Sequence, residues 1–150
     1  MQKLILLLAV VVCHTSCKKN HDSSPTPVPS IVGKWNITVV KVIPFDSTGI
    51  AINSGTVYTE PSYYYFQFNS DDTWTENLGP EPNSRIAENG TYALHSDSSF
   101  TLVNKNAPAK AVECAIDTLT NTRFVFTYRR STLYNGITPG YLLYRFDLKK

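Results

Sequence analysis

The chain is poor in residues that cross-link or coordinate. Its 150 residues hold three cysteines, Cys13, Cys17 and Cys114, and three histidines, His14, His21 and His95. No two cysteines frame a disulfide scaffold, and no His or Cys cluster has zinc-ligand spacing. Metal binding is therefore not expected. One histidine in a turn, His95 before Ser96-Asp97, supports no Ser/His/Asp arrangement, and no Gly-rich phosphate loop occurs. The reading is non-enzymatic, with no cofactor. Net charge is only +2 and no basic block exists, which argues against nucleic acid as a partner. Sustained helical periodicity is missing as well. So is a membrane-spanning run: the longest apolar stretch, Leu4 to Cys13, falls well short of the roughly 20 residues a transmembrane helix needs.

What is present divides the chain in three. Residues 1–16 join Lys3 to the apolar run and end in the small residues Thr15-Ser16, the pattern of a secretory signal. Residues 17–30 begin at Cys17 and continue as KKNHDSSPTPVPS. This stretch lacks a hydrophobic period and cannot bury enough surface to fold. Its alternating Pro25, Pro27 and Pro29 favour an extended spacer of about 3.1 Å per residue, roughly 40 Å in all. Residues 31–150 are one domain.

In that domain short alternating runs are separated by turn clusters every eight to twelve residues, which predicts an all-β sandwich or barrel. Strands are expected over Gly33–Ile43, Tyr63–Phe68, Thr73–Glu76, Arg85–His95, Ser99–Val103, Ala111–Ile116, Arg123–Arg130 and Tyr141–Lys149. The first puts Trp35, Ile37 and Val39 on one face. Pro44 to Gly55 reads as loop, as does Leu78 to Ser84. Asn69-Ser70-Asp71-Asp72 makes a hairpin turn, because Asn and Asp tolerate left-handed geometry. Gly90 marks a bulge or a close approach. Alternation buries Cys114 between Val112 and Ile116, as a small hydrophobe. Asn135-Gly136 and Pro139-Gly140 bound a last loop. The connections are short, so neighbours are antiparallel, and about eight strands suffice to close an up-and-down barrel.

Two resemblances follow. Thr15-Ser16-Cys17 resembles the lipobox of bacterial lipoproteins, with His14 where Leu, Val or Ile is usual. This implies that Cys17 is acylated and becomes the mature N-terminus, with the acyl chains in the membrane. Lys18-Lys19 does not resemble the inner-membrane retention signal, which implies the outer membrane. The domain resembles lipocalin-like bacterial lipoproteins. Gly33-Lys34-Trp35 looks like their Gly-x-Trp start, Phe66 to Trp74 like their F-x-x-D-G-T-W hairpin, and Gly90-Thr91-Tyr92 like the start of their G-x-Y-x-L strand. The resemblance implies a structural base of Gly33 and Trp35 with a basic residue on the Trp ring, and assigns that residue to Arg145.

The aromatic residues carry the remaining hint. Tyr64, Phe66, Trp74, Tyr92, Phe126 and Tyr144 are candidates to line a cavity for a small apolar or amphipathic ligand. Glu76 shares the face of Trp74, an unusual place for an acid. The expected function is a membrane-anchored lipoprotein that binds such a ligand in its barrel. The alternatives are an envelope accessory subunit with a filled barrel and a protein partner, or an enzyme inhibitor that presents the loop Pro44–Ser62.

Overall fold

A computed structural model describes residues 28–77, 86–134 and 138–150. The apolar leader, Cys17, the tether up to residue 27, the loop expected over Leu78–Ser84 and Asn135-Gly136 lie outside the described residues. Among the described residues nine strands follow one another: β1 (Gly33–Asp46), β2 (Thr56–Thr59), β3 (Tyr65–Phe68), β4 (Thr73–Asn77), β5 (Ile86–Ser96), β6 (Ser99–Asn104), β7 (Val112–Leu119), β8 (Arg123–Tyr134) and β9 (Thr138–Lys149). No described residue is helical. Each strand pairs antiparallel with the next from β3 to β9, and β1 pairs with both β3 and β9. These eight close an up-and-down barrel, as the sequence predicts, and closure removes the free edges that an open sheet would expose.

β2 is the extra strand. It lies beside the second half of β1, from Val39↔Thr59 to Val42↔Thr56, while β3 lies beside the first half, from Gly33↔Phe68 to Asn36↔Tyr65. The two are therefore halves of one interrupted strand, split by residues 60–64. Pro61 cannot donate to a ladder, and the backbone closes on itself there through Tyr64 N to Pro61 O (3.0 Å). The expected loop over Pro44 to Gly55 is corrected at its start, since Pro44 lies inside β1, and the presenting loop Pro44–Ser62 contains β2. Pro44 is tolerated because past Val42 the strand keeps a continuous ladder only with β9. Pro139 and Gly140 likewise lie within β9, not at a loop boundary. Gly140 is held between Thr132 of β8 and Asp46 of β1.

One face assignment also needs correction. The register of β1 against β9 shifts between Ile37 and Val39. Trp35 and Ile37 are fully buried, but after the shift it is Val40, not Val39, that packs on the core. A bulge inserts one residue and reverses the alternation beyond it.

The two ends of the barrel differ. At the base the connections are tight: Asn69–Asp72, Asp97-Ser98 and Thr120–Thr122. Asp72 takes the left-handed conformation there (φ 63°). Asp71 accepts hydrogen bonds from the Thr73 hydroxyl (2.6 Å) and amide (3.1 Å), which hold its carboxyl below its ordinary pKa. Tyr92 donates its hydroxyl to the Asn69 carbonyl at 2.8 Å and so ties β5 to this turn. The longer described connections, residues 47–55 and 105–111, lie at the other end.

The base is filled. Trp35, Phe68, Phe100, Phe124, Phe126 and Leu148 have no exposed surface. Phe124 meets Trp35, Phe68, Phe100 and Phe126 with ring centroids 5.2–5.9 Å apart. Burying each such ring stabilises the fold by about 1.5–3 kcal/mol, and tilted pairs add about 0.5–1.5 kcal/mol. Cys114 belongs to this core at 2% exposure, and burial pushes its thiol up to about 12. Since the thiolate is the nucleophile, Cys114 should resist alkylation in the folded protein. Peptide mapping after iodoacetamide treatment should find it modified only in denaturant that unfolds the barrel; modification in buffer would contradict the burial.

Trp35 closes the base from below. Its indole Nε1 donates to the Ile31 carbonyl at 2.6 Å, and Lys150 Nζ stands 4.5 Å over its ring. The basic partner of Trp35 is thus Lys150, which corrects the assignment to Arg145. Arg145 alternates with the inward Tyr144 and Phe146, projects from the outer face, and pairs with Asp117 of β7. Gly33 opens β1 with φ 128°, and a Cβ there would meet the Lys150 side chain at 3.3 Å.

Candidate functional site

The other half of the barrel is not filled. A cavity of about 620 Å³ opens there, within the range of small-molecule sites (about 300–1,000 Å³). Its inner part is apolar, from Phe66 of β3, Trp74 of β4, Leu102 of β6 and Val112 of β7. Glu76, Glu88, Asn104 and Tyr128 add polar groups, and the exposed Lys110, Arg129 and Arg130 also line it.

Of the sequence-selected aromatics, Phe66 and Trp74 line this cavity. The other four stand elsewhere. Phe126 lies beneath, T-shaped against Phe66 at 5.5 Å. Tyr92 belongs to the base. Tyr144 backs Tyr128 in a parallel stack at 5.0 Å. Tyr64 packs on Tyr63 at 5.0 Å, and its carbonyl accepts from Ile37 N. Sequence reasoning passed over Glu88, Leu102, Asn104 and Val112. Glu88 had a signal: it alternates with Gly90 and Tyr92, so it shares their face.

Two features set the electrostatics. Glu76 and Glu88 are direct partners across β4 and β5, where like charges repel. Neither forms an ion pair or hydrogen bond among the described residues. Burial first, and then the charge of Glu88, push Glu76 from 4.5 up to about 7. The second feature is Trp74, only 2% exposed, whose Nε1 donates to nothing among the described residues. Burial, with Glu76 as the next cause, also raises the Tyr128 phenol well above its ordinary range.

The Glu76 shift has a stability consequence. A carboxyl with a folded pKa above its unfolded value favours the fold when protonated. Its contribution is full below pH 4.5 and is lost as pH rises through about 7, up to ~3 kcal/mol. Glu76→Gln should therefore match the parent below pH 4.5 and exceed it by about 2–3 kcal/mol at pH 8. Urea unfolding at the two pH values measures this, and equal midpoints at pH 8 would show that Glu76 is hydrated.

Compared with known proteins, the chain matches no family model and no curated sequence.

Proposed function

We propose that this chain is a membrane-anchored, non-enzymatic lipoprotein whose barrel holds a small amphipathic molecule at its open end. The cavity carries this reading: an apolar inner wall and a largely polar, charged outer lining stand above a base already packed solid. A barrel stabilised by its base core can leave its other half open without a large loss of stability. In this reading Cys17 bears acyl chains inserted in the outer membrane, and residues 18–30 are the spacer. Each buried CH₂ contributes about 0.8 kcal/mol, so several chains hold without release.

Two measurements test it. Mass spectrometry of the mature N-terminus should find acylated Cys17; an unmodified peptide that starts elsewhere would remove the anchor. Native mass spectrometry of the purified protein should find a bound small molecule, and titration with amphipathic ligands should change tryptophan fluorescence through Trp74. A protein with no co-purifying ligand and no fluorescence response would count against the binding reading.

A second reading, a module that docks a protein of the envelope, is favoured by one observation. Ile50, Val57, Tyr58 and Tyr63 are 40–66% exposed around the added strand β2, and clustered exposed apolar groups mark contact surfaces. Pull-down of a stable partner, lost in Val57→Ser/Tyr58→Ser, would support it.

A further inference from the structure

We propose that the open half of the barrel takes a ligand with an ammonium or guanidinium group on an apolar body. The cation lies between Glu76 and Glu88, and the apolar part lies on Phe66, Trp74 and Leu102. The proposal rests on the binding reading above and adds the chemical class of the ligand.

The acid pair is the first observation. Direct partners on one face of two strands stand about 4.5–5.5 Å apart at Cβ. Two carboxylates so placed repel each other, and here the half-buried Glu76 faces the exposed Glu88. The groups facing Glu76 do not neutralise it. Among the described residues they are Glu88 from β5, Tyr128, Arg129 and Arg130 from β8, and Lys110 from the β6–β7 connection. Among the described residues only Lys110, Arg129 and Arg130 of these are cationic; all three are exposed, and none is ion-paired to either acid. Arg123 and Arg145 are engaged with Asp147 and Asp117. A cation supplied by a ligand would relieve the repulsion that the chain leaves in place.

Trp74 is the second, independent observation. Buried indole N–H groups usually find an acceptor. This one is buried in the cavity wall with its donor unused. It calls for an acceptor atom on a guest, next to the ring on which the apolar body would lie. A purely hydrocarbon guest would satisfy neither feature. A carboxylate guest would meet the exposed cations but would also meet the half-buried Glu76 and the exposed Glu88 beside it.

The test compares three probes of one size on the full chain by calorimetry: 2-phenylethylammonium, 2-phenylethanol and phenylacetate. At pH 8 the ammonium should bind at least tenfold more tightly than the alcohol, and phenylacetate more weakly than either. Cation binding requires ionised Glu76, so the ammonium preference should shrink below pH 7 and binding at pH 7 should release protons to the buffer. In Glu76→Gln/Glu88→Gln the ammonium-to-alcohol affinity ratio should fall toward one, with a thermal melt to verify the fold; Glu76→Gln alone, which removes repulsion, serves if the double variant does not fold. Equal affinity for ammonium and alcohol, or a ratio unchanged by the substitutions, would overturn the cation proposal and leave the cavity reading standing. Calcium displacing the ammonium at equal concentration would reassign the acids to a metal ion and overturn it as well. Failure of all three probes would overturn both.

Discussion

Gly90→Ala should cost about 3 kcal/mol or prevent folding altogether, from a single added methyl. A Cβ at this position would fall 1.8 Å from the Val103 carbonyl oxygen, 2.9 Å from its carbon and 3.0 Å from Lys105 N. All three are backbone atoms, so no side chain can swing aside. Gly90 pairs with Trp74 on one side and Asn104 on the other. Relief of the clash would therefore part β5 from β6, and would disturb two residues of the cavity wall at once. Ala93→Ser, on an exposed position of the same strand, should change stability by less than about 0.5 kcal/mol. Urea midpoints of the two variants give the comparison. A parental midpoint for Gly90→Ala would show that β5 and β6 separate by the width of a methyl without loss.

Phe124→Ala should be comparably damaging for a different reason. The ring has no exposed surface and touches four other aromatic rings. Truncation removes its transfer free energy and leaves a hole that the neighbouring rings cannot close, about 3–5 kcal/mol in total. Domains of this size have about 5–15 kcal/mol to lose, so the melting temperature should fall by roughly 10–20 °C. Leu102→Ala should cost less, near the low end of about 2–5 kcal/mol, because Leu102 already borders open space. If the two variants melt together, the division into a filled base and an open half is wrong.

Much of the barrel was legible because period-2 alternation survives in a single sequence. Trp35, Phe66, Phe68, Trp74, Phe124, Phe126, Phe146 and Leu148 turn inward as their runs require. What failed was whatever depends on pairing between strands. The bulge between Ile37 and Val39 exists only against β9, so no local pattern announces that Val40 replaces Val39. β2 is four residues long, and all four are exposed, so it shows no alternation to detect. Arg145 was placed on Trp35 by resemblance, whereas closure of β1 on β9 brings Lys150, the last residue, to the ring. At the site, alternation put Glu76 on the face of Trp74 but left the strand end there reading as open to solvent rather than as a binding acid. Its meaning depended on Glu88, which the register of β4 on β5 alone sets opposite it.

The hydrogen bond from Trp35 to Ile31 fixes more than the base of the core. Ile31, buried at 3% exposure, is where the chain enters the barrel, so any tether through residues 17–30 pulls on the end opposite the mouth. In the anchored reading proposed above, the barrel would be attached at its filled base, with its opening at the far end from the attachment. Guests would then arrive from the aqueous side, or from a donor facing the barrel across that space, and lipids of the anchoring leaflet would have no direct route in. In that same reading, moving the attachment to the mouth end should reverse the access and exchange guests with the membrane instead.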